Sequence, residues 1–161
     1  MPREIERKFL LENDSWRAEV RRSQPMSQGY LASGERASVR VRIAGENAWL
    51  NIKVGGLVAS RNEYEYPLPI AEARELLAAA ERPLIEKTRH YVEQGGATFE
   101  IDEFHGDNTG LVVAEIELER EDAEFPRPSW LGTEVTQFHR YYNICLVTHP
   151  YGVWTEAERN P

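Results

Sequence analysis

The chain has one cysteine, Cys145, so an internal disulfide cannot form and a cysteine-based zinc site has no ligand set. It has no long apolar run. The longest stretches resemble Ile144-Cys145-Leu146-Val147, far short of the roughly 20 residues that span a bilayer. The opening Met1-Pro2-Arg3-Glu4-Ile5-Glu6 lacks the apolar core of a secretory signal. The cytoplasm is the expected compartment, which makes the sequon Asn13-Asp14-Ser15 a chance match. Positive charge is also short: 27 acids stand against 19 Lys plus Arg, a net charge of −8. That balance argues against nucleic-acid and anionic-membrane partners, which want basic surfaces. No GxxxxGK[ST] loop or GxGxxG turn occurs, which excludes P-loop and dinucleotide chemistry. The four histidines, at 90, 105, 139 and 149, show no ligand spacing and are read as surface or packing residues. Cys145 sits in an apolar run without an activating base and reads as an inert buried thiol.

What is present is alternation. The chain is 161 residues long, 41% hydrophobic and 29% charged, which fits one globular domain over 1–161. Period-2 patterning covers 2–11, 26–33, 37–44, 47–55, 61–68, 84–93, 97–105 and 111–120, predicting about eight strands. Gly95-Gly96 is a short-hairpin signal between two of them. Helical patterning is confined to three places: from Asp14 or Ser15 to about Arg22, Ile70 to Ala80, and about 137–147. The expected class is β-rich α+β.

Residues i, i+2 and i+4 of a strand share a face. Here one face of nearly every strand is charged. Glu4, Glu6 and Lys8 oppose Ile5 and Phe9; Arg40 and Arg42 oppose Val39, Val41 and Ile43; Asn51 and Lys53 oppose Leu50, Ile52 and Val54. Glu63 and Glu65 oppose Tyr64, Tyr66 and Leu68; Lys87 and Arg89 share a face; Glu100 and Asp102 oppose Phe99 and Ile101; Glu115, Glu117 and Glu119 oppose Ala114, Ile116 and Leu118. For any one strand the ordinary explanation is a solvated face. Three features together point elsewhere. The faces hold full charges rather than Thr, Ser or Gln, and both signs occur in blocks. All three lysines, Lys8, Lys53 and Lys87, fall on these faces, against sixteen arginines in the chain.

A closed eight-stranded antiparallel barrel with its polar side inward accommodates this pattern and leaves room for one small ligand. Peripheral helices, or a second subunit in a homodimer, would cover its apolar outside. The expected lumen holds six positive and nine negative side chains, about −3 in all. One or two divalent cations would bring it to about −1 or +1, and carboxylate oxygens suit Mg2+ or Mn2+. A metal-dependent polyphosphate site follows from that arithmetic. Tyr30 is a candidate to line such a lumen, although an aromatic in a strand is more often a packing residue, and the four tryptophans read as packing residues.

Glu4-Ile5-Glu6-Arg7-Lys8, an ExExK run, resembles the opening of the CYTH superfamily, the triphosphate tunnel metalloenzymes. The resemblance continues through Val39-Arg40-Val41-Arg42, Lys53, Glu63-Tyr64-Glu65, Lys87-Thr88-Arg89, Glu100-Ile101-Asp102, Glu115-Ile116-Glu117-Leu118-Glu119, Gly132-Thr133-Glu134-Val135-Thr136 and Arg140-Tyr141-Tyr142-Asn143. It implies a tunnel that binds a small-molecule triphosphate with divalent metal. Carried over by position, Glu4, Glu6, Glu117 and Glu119 would hold the metal. Lys8, Arg40, Arg42, Lys53, Lys87 and Arg89 would bind phosphate oxygens. Glu100 and Asp102 would position the attacking water or hold a second metal, with Lys8 joining them in catalysis. The implied activity is hydrolysis of inorganic tripolyphosphate. The alternatives within reach are a class IV-like adenylate cyclase, a thiamine triphosphatase, and a non-catalytic polyphosphate-binding module. A lipocalin-like carrier fits poorly, because its lumen should be apolar.

Overall fold

A computed structural model describes residues 3–161. Its strands are β1 (Arg3–Leu11), β2 (Val20–Ser33), β3 (Ala37–Ala44), β4 (Asn47–Val54), β5 (Ser60–Leu68), β6 (Ile85–Gln94), β7 (Ala97–Phe104), β8 (Val112–Glu117) and β9 (Leu131–Glu134). The helices are α1 (Ile70–Ala78), α2 (Asn143–Thr148) and α3 (Glu156–Arg159), with short 3-10 turns at Ser15–Glu19, Gly106–Asn108, His139–Tyr141 and Tyr151–Val153. The strand order is β5-β4-β3-β2-β6-β7-β8-β1-β9, and β5 also pairs with β1. That extra pairing closes eight antiparallel strands into the expected barrel and leaves β9 as an addition on β1. One edge of β1 is therefore shared. Arg3–Ile5 pair with Ser60–Asn62 of β5, while Phe9 and Leu11 pair with Glu134 and Leu131 of β9.

Strand parity decides what faces outward. Phe9, Val92, Phe99, Ile101, Ala114 and Ile116 form one outer cluster with Trp16 and Trp130. Val41, Ile43, Leu50 and Leu68 form another, covered by Ala73, Ile70 and Leu76 of α1. Where α1 runs on toward β6, a Cβ on Gly29 would lie 2.6 Å from Ala80 Cβ, so only glycine lets the connection lie against β2. At the β6–β7 hairpin Gly95 and Gly96 adopt φ of 54° and 83°, the left-handed region where side chains are strained.

Inside, the lining changes character along the barrel. Moving two residues along an inward face replaces Gln28 by Tyr30, Lys87 by Ile85, Asp102 by Phe104 and Glu115 by Val113. These apolar residues are buried against Tyr141, Leu146, Val147 and Trp154 of the C-terminal segment. The C-terminal helices therefore close one end of the barrel with an apolar floor.

Three sequence expectations change. The helix expected from Asp14 to about Arg22 is only the 3-10 turn Ser15–Glu19, because β2 starts at Val20 and pairs with Val92 of β6. Asn13 Oδ1 accepts from Ser15 N at 2.9 Å, a local turn that competes with helix initiation. The helix expected over 137–147 is divided between the His139–Tyr141 turn and α2, and β9 was not anticipated. The last long strand ends at Glu117 rather than 120.

Candidate active site

One cavity of about 470 Å³ occupies the charged part of the barrel. Its lining includes Glu4, Glu6 and Lys8 of β1; Arg40 and Arg42 of β3; Lys53 of β4; Arg61, Glu63 and Glu65 of β5; Lys87 and Arg89 of β6; Glu100 of β7; and Glu115 and Glu117 of β8. Around the ring the charges segregate. Consecutive strands β7, β8, β1 and β5 carry every lining carboxylate, and the charged lining residues of consecutive strands β4, β3, β2 and β6 are all cations. Lys8 and Arg61 are the cations embedded in the acidic wall.

Each intruding cation holds acids. Lys8 Nζ donates to Glu115 Oε1 at 2.7 Å and Glu6 Oε1 at 2.8 Å. Burial alone would discharge Lys8, but Glu115 and Glu6 together raise its pKa. Burial likewise opposes ionisation of Glu6, yet the Lys8 and Lys53 ammoniums hold it well below the usual carboxylate range. Glu4 is the contrast. Burial, then the neighbouring Glu6, push it up to about 7 against the pull of Lys53. Its Oε2 is buried without a hydrogen-bond partner, with Lys53 Nζ at 3.1 Å and Arg61 Nε at 3.6 Å. Glu117 is raised by burial and by repulsion from Glu6 and Glu63.

On the basic wall Arg40 is 8% exposed, with a buried Nε that has no partner among the described residues. Arg42 is lowered by burial and by repulsion from Arg40 and Arg89; its Nη2 reaches Glu65 only at 3.5 Å. Burial, reinforced by Arg89 and Arg40, lowers Lys87 to about 8 despite Asp102. A buried guanidinium beside two others, with one long carboxylate contact between Arg40 and Arg42, is costly unless an anion joins them.

The structure brings most of the expected site residues to this cavity, but not Asp102 or Glu119. Asp102 is fully buried behind the lining. Arg89 grips it bidentately (Nε–Oδ1 and Nη2–Oδ2, both 2.8 Å) and Lys87 Nζ donates to Oδ2 at 2.8 Å. Burial disfavours its charge, but Arg89 and Lys87 hold its pKa far down. Both oxygens are spent on orienting cations, so none is presented to water. Glu119 lies beyond β8, exposed, on a separate surface depression. Arg89 also pairs with Glu100, which burial raises in spite of Arg89.

Sequence reasoning missed several lining residues, among them Arg61, Tyr91, Tyr142 and Asn143. Arg61 shares the parity of Glu63 and Glu65, so the alternation could have found it. Tyr142 and Asn143 come from the C-terminal segment, where no strand period exists to mark them. Tyr142 has Lys8 Nζ 5.0 Å and Arg61 Cζ 5.5 Å from its ring centroid. Tyr91 lies under Arg22 at 4.1 Å. Tyr30 both lines the cavity and packs in the floor. None of the histidines lines the cavity, and burial pushes the Cys145 thiol up.

Residues 2–149 match the family described as CYTH domain. The chain belongs to the CYTH family. It is 43% identical over 152 residues to an inorganic triphosphatase of Acetivibrio thermocellus, covering 94% of this chain and 97% of that one. It is 36% identical over 148 residues to an inorganic triphosphatase of Nitrosomonas europaea, covering 89% and 95%. The crystal structure of an inorganic triphosphatase superimposes with a TM-score of 0.64 at 34% identity, covering 89% of this chain and 93% of that one. In this CYTH chain the ExExK run is the inward face of β1, and its last residue, Lys8, is clamped by Glu6 and Glu115.

The carboxylates of the acidic wall suit a hard divalent cation in donor type. Glu4 Oε2, ion-paired with Lys53 but without a hydrogen bond, and the burial and acid–acid repulsion that raise Glu4 and Glu117 fit the same ion. Among the described residues no three His, Cys, Asp or Glu stand ready as a cage. Glu4 and Glu6 are partnered by Lys53 and Lys8, so taking up an ion means exchanging partners.

Proposed function

We propose that this protein hydrolyses inorganic tripolyphosphate to diphosphate and phosphate with the help of a divalent metal ion. The observation that carries the reading is Arg40, a buried guanidinium without a counterion among the described residues, lining with Arg42 a cavity whose opposite wall is acidic. The names of the two relatives agree with it.

Arg40, Arg42, Lys53, Lys87 and Arg89 bind phosphate oxygens, and Lys8 neutralises the chain from the acidic side. Phosphoryl transfer needs positioning and charge neutralisation more than a nucleophilic side chain. Glu4, Glu6 and Glu117 would hold Mg2+ or Mn2+, which would supply Lewis-acid neutralisation of phosphate charge. Glu119 is no longer in that proposed set, since it lies outside the cavity. Glu100 lines the cavity and has a raised pKa, so it can accept the proton of the attacking water. The water oxygen bonds to the terminal phosphorus, the phosphoanhydride bond breaks, and diphosphate leaves. Asp102 acts one step back, fixing Lys87 and Arg89.

No described helix is long and apolar enough to cross a membrane, and the proposed partner is a small anion in the cytoplasm. The test is phosphate release from tripolyphosphate, thiamine triphosphate and ATP, with Mg2+, with Mn2+ and with EDTA. Tripolyphosphate is expected to be turned over fastest, and EDTA to stop it. Cyclic AMP from ATP without orthophosphate, or tight binding with no turnover under either metal, would overturn the reading.

A further inference from the structure

The last polar layer above the apolar floor contains two uncharged amides, Gln28 and Asn143. Gln28 is fully buried and Asn143 is 8% exposed. Lys87 Nζ donates to Asn143 Oδ1 at 3.0 Å, and Gln28 Nε2 donates to the same oxygen at 2.7 Å. An ammonium has donors only, so Asn143 must turn its oxygen to Lys87. With that oxygen fixed, Gln28 can only offer its NH2. One unambiguous group thus sets both amides. Gln28 Oε1 is left buried without a partner, and Asn143 Nδ2 is a two-proton donor with no protein partner among the described residues, on a side chain that lines the cavity.

We propose that Asn143 Nδ2 is an uncharged hydrogen-bond donor to an oxygen of the bound polyphosphate, and that Gln28 is its positioning residue. The inference rests on the triphosphate reading above and adds a contact from the C-terminal segment to the strand-borne cations. The placement suits the task. Asn143 is the first residue of α2, whose Leu146 and Val147 are locked into the floor, so the amide is held by the fold rather than by a loop. The chemistry suits it too. Arg42 already suffers from Arg40 and Arg89, so another cation here would add repulsion, whereas an amide adds a directional donor without charge.

Asn143→Asp separates this role from a merely structural one. The carboxylate still accepts from Lys87 and Gln28 and keeps the shape, but it turns an acceptor toward the phosphate. Calorimetric affinity for tripolyphosphate and KM are expected to worsen at least about tenfold, with thermal unfolding near that of the wild type. Gln28→Glu withdraws the NH2 from Asn143 Oδ1 and sets a carboxylate beside it, leaving Lys87 alone to hold that amide, and is expected to weaken binding similarly without touching substrate itself. In the wild type, the assigned Asn143 side-chain amide proton should shift on adding tripolyphosphate, which decides the matter even if a variant fails to fold. Wild-type affinity in Asn143→Asp, or an unmoved amide signal in saturated wild type, would overturn the donor. Loss in Asn143→Asp with wild-type binding in Gln28→Glu would overturn the positioning role. If wild type hydrolyses tripolyphosphate and Asn143→Asp does so equally well, only this inference falls; if wild type does neither, the functional reading falls first.

Discussion

Arg40 and Lys87 show at the residue scale how burial is turned to use. Arg40 has no counterion among the described residues, so its planar fork is free for two oxygens of one anion, which an ammonium cannot match. Arg40→Lys, which conserves charge, is expected to lower kcat/KM by at least about tenfold, roughly 1.4 kcal/mol of transition-state stabilisation; steady-state kinetics on tripolyphosphate checks it. Lys87 titrates at about 8 in the folded protein. Above that pH the free enzyme loses a phosphate-binding charge, so kcat/KM should fall through about pH 8. The Lys87→Arg variant should stay flat if it folds. Stability moves the other way. Between about 8 and the unfolded lysine value the unfolded chain holds the proton that the folded one has shed, so this group adds stability as pH rises. A pH series of kcat/KM and of denaturant midpoints measures both. Much of this was legible in the sequence, because strand parity puts a charge inward or outward without further information. Asp102 shows where parity stops: it shares the face of Glu100 but lies one layer deeper, under Lys87 and Arg89. Gln28 and Asn143 carry no charge and so left no mark in the pattern.

At the scale of elements, the strands were readable because each half-buried face repeats every second residue. The exceptions have tertiary causes. The stretch after Asp14 has helix-compatible composition, but ladder bonding to β6 from Val20 onward outweighs it. β9 is only Leu131–Glu134, too short to show a period, and exists because half of β1 would otherwise have an open edge. The C-terminal helices have few turns of their own and are held by packing. Leu146, fully buried in the floor, is the clearest case. Leu146→Ala is expected to cost about 2–5 kcal/mol in urea unfolding. Its tripolyphosphate KM should rise with it, because α2 carries Asn143. An unchanged KM in a folded but destabilised variant would show that the floor and the site are independent.

The whole molecule is a ring with an acidic half and a basic half. Neither half is comfortable empty: Glu4 and Glu117 repel Glu6, and Arg40 and Arg89 repel Arg42. A divalent ion should therefore stabilise the fold even without substrate, by about 2.7 kcal/mol at a hundred times its Kd. Differential scanning calorimetry with Mn2+ is expected to show a raised Tm that EDTA reverses. Glu6→Gln should lose most of that rise along with metal-dependent turnover. Because Glu4 protonates at about 7, the Mn2+-induced rise should shrink below that pH.

The shared edge of β1 also has a bearing on how the molecule comes to exist. Glu6 lies opposite Glu117, Arg3 opposite Asn62, and Phe9 opposite Glu134. β1 therefore waits for β8 and β9, which lie about a hundred residues or more further along the chain, while β2 to β5 and β6 to β8 can pair with near neighbours in sequence. Contacts of such long sequence separation form late. Glu4, Glu6 and Lys8 ride on that strand, so catalytic competence arrives with ring closure and not before: in refolding, activity should return with the slowest phase, after most β-structure has formed.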